Sequence, residues 1–332
     1  MDPADTQKLA RIFLPYAMGE RDRLKNENIR LAYYTHAETA NKIIRNREFW
    51  LRDSQKMNDA SEVKHGTGLI DTYFGTDANR NAFFKTFDAI FPGVANDALK
   101  LFEDWKLARR AQTFFMSFSR HAPPDSVLKE LENMHGRLSM WRGYGGHDGV
   151  ALIFRPPFND TNNLRVFLSP VAYRDSIDND VARVIEEATK QTEFLSRQSA
   201  ELLRNTLFVM LIMAATCLKH PGFREEDEWR LIYLPSTYHS DFVRELQVKN
   251  PDDQATETVY RIAFSDMVRA GIPTATADEL IERVIVGPSV YPDDIGRYIA
   301  EALTAAGVRN PELRVHASTI PFRFPKPRIV PA

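Results

Sequence analysis

Apolar residues recur along the chain with two different periods, one typical of helices and one of strands. Ala37, Ala40, Ile43 and Ile44 have the spacing of an amphipathic helix, directly after the strand-like run 29–35 (IRLAYYT). The other predicted strands are 48–52, 112–119, 150–154, 165–173, 228–233, 260–264, 281–286 and 313–315. Because no strict strand–helix–strand rhythm is present, the pattern predicts an α+β fold, with a mixed or antiparallel sheet core and inserted helices.

Further helices are predicted between these strands. A first helix runs from Asp5 or Thr6 to Tyr16, and others cover 83–107, with a break at 92–93, and 293–306. The apolar stretch 207–218 (LFVMLIMAATCL) is shorter than the roughly 20 residues of a bilayer span, so it predicts a buried core helix. Since 181–205 contains neither Pro nor Gly, we expect one helix of up to about forty residues.

Composition narrows the class of protein. The 332 residues include 43% hydrophobic residues, which is ordinary for a globular protein, and 43 Lys+Arg against 45 Asp+Glu. The resulting net charge of −2 argues against a protein that depends as a whole on nucleic acid or an anionic membrane. One cysteine, Cys217, excludes an internal disulfide and a multi-thiolate metal site. With an acidic N-terminus that lacks a signal-peptide pattern, the sequence predicts a cytoplasmic protein without a membrane partner.

Familiar motifs are absent from the sequence. The glycines 143, 145, 146 and 149 follow a predicted helix and lack the Lys-Ser/Thr of a phosphate loop, so they indicate a turn. The eight histidines form no HxxxH or HxH pair, and we expect no metal.

Five segments place polar or charged groups beside large aromatics: 33–36 (YYTH), 50–62 (WLRDSQKMNDASE), 117–119 (SFS), 140–144 (MWRGY) and 226–230 (EDEWR). Such groups are costly in a core unless they are paired or face a cleft. Together the segments predict one site. Within them, Asn58-Asp59 is predicted to form a structural turn, and Ser61 to cap the helix that follows.

These five segments, with 284–288 (VIVGP) and 318–323 (STIPFR), resemble the bacterial family DUF2971, a domain without an assigned function. One departure is His36, where a small hydroxyl residue is more usual. The resemblance implies a single α+β domain over 31–323 with a helical insertion around 178–220. An N-terminal helical extension, 1–30, would precede it and a Pro-rich tail, 324–332, would follow it.

The order of the motifs is also similar to that of the ADP-ribosyltransferase superfamily, whose fold the sheet would then share. This resemblance implies an NAD-consuming enzyme with a protein or nucleic-acid acceptor, and a role as a toxin or phage-defence effector. Its catalytic residues would be Glu228 and Glu226. NAD, the substrate, would be bound by Tyr34, Thr35, His36, Ser117, Ser119, Trp141, Arg142 and Tyr144.

The acidic pair allows two interpretations. On an extended strand Glu226, Glu228 and Arg230 share one face and Trp229 lies on the other. Two adjacent carboxylates could raise the pKa of one of them, and a carboxylate near the ribose could stabilise an oxocarbenium-like state. Alternatively, Glu228 pairs with arginine and Trp229 packs in the core. Trp141 is expected in the core, and Arg142 could bind a phosphate or a carboxylate.

Three other functions remain open. A non-catalytic nucleotide or nucleic-acid binding module would use the same aromatic and arginine residues without needing Glu228. A metal-dependent phosphodiesterase would use Asp59, Glu62, Glu226 and Glu228 to bind Mg²⁺. A structural or interaction protein would need none of this chemistry.

Overall fold

The structure is a computed structural model of the chain, and it describes residues 2–54, 62–108, 113–157, 162–249 and 255–321. The helices are α1 Pro3–Phe13, α2 Pro15–Asn26, α3 Ala37–Asn46, α4 Glu62–Gly75, α5 Asp77–Asp88, α6 Val94–Ala108, α7 Lys129–His135, α8 Leu138–Met140, α9 Asp178–Lys190, α10 Thr192–Ser196, α11 Ala200–Cys217, α12 Phe264–Arg269, α13 Ala277–Leu280 and α14 Pro292–Ala305. The strands are β1 Arg30–His36, β2 Glu48–Asp53, β3 Phe114–His121, β4 Gly149–Phe154, β5 Val166–Pro170, β6 Ala172–Tyr173, β7 Leu218–Lys219, β8 Glu228–Tyr233, β9 Val243–Lys249, β10 Thr256–Ala263, β11 Ile281–Val286 and β12 Val315–Ala317.

The main sheet is mixed. Its order is β12-β11-β4-β1-β3-β2-β10-β9, with β8 on the second edge of β3 and β5 beside β8. Neighbouring strands are antiparallel except for the parallel pair β11–β12. A separate two-stranded sheet joins β6 and β7. The predicted α+β class is therefore confirmed.

The sheet forks at β3. β1 pairs with its C-terminal end, where Ala32 faces Ser119, and β2 pairs with its N-terminal end, where Arg52 faces Phe115. Since both strands share one edge of β3, they must diverge from it in opposite directions. The rings of Phe49, Phe118 and Phe154 fill much of the space between them in edge-to-face contacts.

Helices cover both faces of the sheet. One core contains Phe118 and Trp229 and the apolar faces of α3 and α14. The second core lies on the opposite face and combines Phe115 and Ile232 with α1, α4, α5, α6, α9 and α11. The N-terminal helix α1 is thus part of the helical layer.

The apolar helix α11 lies in the second core, as predicted. By length and composition alone it is the one helix of the described residues that could cross a membrane, but half of its apolar window is buried inside the protein. It passes close to α4, since a Cβ added at Gly66 would lie 2.4 Å from the carbonyl oxygen of Ala215.

Several predicted elements differ from the structure. The single helix expected over 181–220 is wrong, because the segment divides into α9, α10 and α11, with Ser199 capping α11 by accepting the Leu202 N–H. The first helix ends before Pro15, which starts α2. The predicted strand 165–173 is divided into β5 and β6, and β9 was not predicted. The Asn58-Asp59 turn, Ser61 and the tail 324–332 lie outside the described residues.

Candidate functional site

Cross-strand pairing determines which predicted site residues share a face of the sheet. Ser119 faces both Ala32 and Glu228, and Ser117 faces Arg230. Because paired residues point to the same side and strands alternate, Tyr34, His36, Ser117, Ser119, Glu228 and Arg230 lie on one face, called the polar face below. Thr35, predicted to bind NAD, lies on the opposite face and pairs with Val150.

Glu228 is the centre of a buried ion-pair cluster on the polar face. Its Oε1 accepts hydrogen bonds from Ser117 Oγ and Arg230 Nε, both at 2.6 Å. Its Oε2 accepts from Arg230 Nη2 at 3.0 Å and Lys219 Nζ at 3.3 Å. Burial by itself raises the pKa of the Glu228 carboxyl, but the neighbouring cations and the Ser117 hydroxyl outweigh it and hold that pKa below its ordinary value. The carboxylate is therefore ionised and fully hydrogen-bonded.

The contacts of Arg230 agree with the interpretation in which Glu228 pairs with an arginine. Its guanidinium donates from Nη1 to the Thr216 carbonyl at 2.5 Å and lies over the Phe115 ring, 4.4 Å from the centroid. Trp229 is 1% exposed in the core of the opposite face. The strand alternation predicted from the sequence is confirmed for Glu228, Trp229 and Arg230.

Glu226 reaches the cluster by a different route from the one expected. It ends a 3-10 turn, Pro221–Glu226, and is separated from β8 by Asp227, whose φ of 47° is left-handed. The expected strand spacing of Glu226 and Glu228 is therefore wrong. Both carboxylates nevertheless bind Lys219, at 2.6 Å from Glu226 Oε2 and 3.3 Å from Glu228 Oε2. The expected rise in pKa is also wrong for Glu228, because buried cations lie beside the carboxylates.

Two aromatic rings border the accessible side of this cluster. Tyr144 donates its hydroxyl to Glu226 Oε1 at 3.1 Å. Phe223 lies against Lys219, with 4.7 Å between Nζ and the ring centroid. Both rings are about two-fifths exposed, at 39% and 41%. Burial and the Glu226 carboxylate raise the pKa of Tyr144, so its phenol stays protonated and able to donate.

Arg137, which the sequence analysis missed, connects Tyr34 to the serines. Its backbone N–H donates to the Tyr34 hydroxyl at 2.8 Å, and its Nη1 donates to Ser119 Oγ at 3.0 Å. The Ser119 hydroxyl in turn donates to the Glu226 carbonyl at 2.6 Å. Burial raises the pKa of Tyr34 to about 12. Tyr34, Ser119 and Glu226 are thus joined in one hydrogen-bonded chain.

The Trp141 side chain packs beneath this series of hydrogen bonds and does not face a ligand. Its side chain is fully buried, its Nε1 donates to the His135 carbonyl at 2.8 Å, and its ring meets Tyr34 edge-on at 4.7 Å. Glycines at 136, 145 and 287 let the backbone approach the ring, since a Cβ at any of them would come within about 3 Å of it. The predicted core position of Trp141 is confirmed.

His36 and Arg142 lie at the exposed rim. Trp141–Gly145 forms a π-helical turn that carries Arg142 on its exposed side. His36 Nδ1 lies 2.7 Å from Asp148 Oδ1, and the ring packs against Gly146, whose φ is +58°. The structure therefore joins Tyr34, Ser117, Ser119, Tyr144, Glu226 and Glu228 into one cluster and leaves Thr35 outside it.

Residues 140–231 contain Trp141, Tyr144, Lys219 and both glutamates of the cluster. This stretch matches the DUF2971 family, described as a protein of unknown function. The chain is similar to this family over that stretch. No curated protein and no solved structure matches the chain.

The matched stretch contains two of the four carboxylates of the metal interpretation, Glu226 and Glu228, and these two converge on the ammonium group of Lys219. Among the described residues no group of three or more His, Cys, Asp and Glu side chains is arranged to hold a metal ion. Asp59 and the side chain of Glu62 lie outside the described part of the chain.

Proposed function

We propose that the polar face is the active centre of an NAD-consuming enzyme of the ADP-ribosyltransferase type, in which Glu226 faces the substrate. The observation that supports this is the difference between the two glutamates. The Glu226 side chain is 19% exposed and held by Tyr144 and Lys219, whereas the Glu228 side chain is 6% exposed and bonded on both oxygens.

The proposed reaction breaks the bond between the ribose and nicotinamide of NAD. Nicotinamide leaves with the bonding electron pair, and an acceptor oxygen or nitrogen bonds to the anomeric carbon and releases its proton. The transition state resembles an oxocarbenium ion, so a fixed carboxylate beside the ribose lowers its energy. Tyr144 and Lys219 hold the Glu226 carboxylate at the surface of the cluster for this purpose.

Glu228 has a positioning role in this proposal. Its carboxylate neutralises Arg230 and Lys219 and fixes the ammonium group that orients Glu226. The acceptor would be a protein or nucleic acid, and the enzyme a cytoplasmic toxin or phage-defence effector. Neither the role of Glu226 nor that of Glu228 requires a metal ion in this proposal.

Nicotinamide release from NAD tests this proposal, measured by chromatography with protein, DNA and RNA acceptors and with and without a chelator. We expect Glu226→Gln to reduce turnover by about 10²-fold or more with little change in melting temperature. The matched control is Glu225→Gln, an exposed neighbour, which should keep wild-type turnover. Wild type that releases no nicotinamide with any acceptor, or Glu226→Gln with wild-type turnover, would contradict the proposal.

A non-catalytic nucleotide or nucleic-acid binding module is the second candidate. The hydrogen bonds of Glu228 favour it. The Glu228 carboxylate already accepts four hydrogen bonds from the protein, which is typical of a structural role. In that case wild type would bind NAD or oligonucleotides without consuming them, and Glu226→Gln would alter affinity only. Isothermal titration calorimetry beside the chromatographic assay separates the two candidates.

A further inference from the structure

A groove runs along one edge of the main sheet, between the edge strand β12 and the helix α14. Val315 and Ala317 of β12 line one wall, and the small residues Gly296 and Ala300 of α14 line the other. Its volume is about 420 Å³, within the range of about 300–1,000 Å³ that is typical of ligand pockets. β12 is four strands away from β3 in the sheet, so the groove is separate from the polar-face cluster.

The outer edge of β12 presents backbone groups that have no strand to pair with. The Ser318 N–H donates to the Val286 carbonyl at 2.7 Å, so the amide of Ser318 points towards β11. Because backbone groups alternate in direction along a strand, the N–H and C=O groups of Val315 and Ala317 point away from β11. In the part of the chain that the structure describes, no further strand lies on that side of β12. Such an edge is a template for one more extended chain.

The groove carries excess negative charge. Three of its lining residues are exposed acids, which form no ion pair with the other described residues: Asp293, Glu301 and Glu312. The lining arginine, Arg297, is already paired with Asp294 at 3.2 Å. Burial lowers the pKa of the lining His316, so its imidazole is neutral at neutral pH and does not offset the carboxylates. The charge of the groove therefore complements a basic partner.

We propose that this groove binds an extended peptide with basic side chains, which adds to the edge of β12 as a further strand. The peptide backbone pairs with the outward groups of Val315 and Ala317, and its basic side chains lie beside the carboxylates of the groove. Because β12 has only three residues, it offers few backbone hydrogen bonds, and the carboxylates supply the preference for a basic sequence. This site does not depend on the enzymatic proposal.

The probe is a seven-residue peptide of alternating lysine and valine, and its binding to the full chain is measured by calorimetry at low and physiological salt. One control peptide has glutamate in place of lysine, and a second has every backbone nitrogen methylated, so that it cannot donate to a strand edge. The variant Glu301→Gln with Glu312→Gln removes two carboxylates of the groove. Its matched control is Glu130→Gln with Asp175→Asn, two exposed acids outside the groove. Ala300→Trp fills the groove with an indole ring.

We expect wild type and the matched control to bind the lysine peptide, more weakly as salt is raised, and to bind neither control peptide. The groove variant should bind it about three- to tenfold more weakly, as expected for the loss of two exposed ion pairs. Ala300→Trp should abolish binding, and if that variant does not fold, the methylated peptide still tests the backbone pairing.

Three results would overturn the proposal. The first is that the lysine peptide does not bind to wild type. The second is that either control peptide binds as well as the lysine peptide. The third is a dimer of the full chain in sedimentation that Ala300→Trp dissociates, because a second copy would then occupy the edge of β12.

Discussion

Replacing Glu228 by Gln should destabilise the protein, because it removes the carboxylate that two buried cations, Arg230 and Lys219, share. Their side chains are 1% and 4% exposed, and Lys219 still binds Glu226 in the variant. Removal of one member of a buried ion pair costs roughly 3–5 kcal/mol of unfolding free energy. With an unfolding entropy of about 2.1 cal/mol/K per residue, the melting temperature should fall by about 4–7 °C.

The measurement is thermal and urea unfolding of wild type and Glu228→Gln at neutral pH, with Glu301→Gln on the exposed side of α14 as the control. A double variant, Glu228→Gln with Lys219→Met, should lose less stability than the sum of the single changes, because each single change already removes the contact between these two side chains. Equal melting temperatures for wild type and Glu228→Gln would refute the assignment of Glu228 to a structural ion pair.

The Glu228 ion pairs also predict how the unfolding free energy depends on pH. The folded-state pKa of Glu228 lies below the ordinary value of 4.5, so its contribution to stability is present above that value. It is lost as pH falls through the folded-state pKa, where the native carboxylate takes up its proton. The stability curves of wild type and Glu228→Gln should therefore approach each other in acid.

Two further changes test the surroundings of the cluster. Gly146→Ala should cost about 1–2 kcal/mol in urea unfolding, since Gly146 has a φ of +58° and an added Cβ would lie 2.6 Å from His36 Cε1. Gly143→Ala, with nothing within 4 Å, should be neutral, and equal losses at both sites would contradict this. Burial lowers the pKa of His121 to about 3, so unfolding free energy should fall from about pH 6.5 towards pH 3 as the unfolded chain takes up the proton. His121→Gln should flatten that fall, whereas the exposed His147→Gln should not.

The sequence predicted those parts of the site that depend on regular alternation. The period of two along β8 correctly separated Trp229 from Glu228 and Arg230. The same period along β1 puts Thr35 on the face opposite Tyr34, but the sequence analysis had assigned both residues to NAD binding. Trp141 was expected in the core, and it is fully buried.

The remaining contacts could not be predicted, because they depend on irregular backbone and distant segments. The left-handed Asp227 turns Glu226 out of the strand, and no local pattern marks that change. Lys219 reaches both glutamates from β7, which is only two residues long. Arg137 meets Ser119 through tertiary packing of a loop, for which the sequence carries no periodic signal.

The segment that matches the DUF2971 family is smaller than the part of the sheet to which its strands belong. Residues 140–231 contain β4, but both neighbours of β4, β1 and β11, lie outside this segment. Within the segment β8 keeps β5, yet it lacks β3, the strand that supplies Ser117 and Ser119. A fragment limited to 140–231 would therefore present open strand edges on both sides of β4, which are templates for aggregation. The stretch that is similar to the family therefore needs the flanking strands β1, β3 and β11 to complete its sheet.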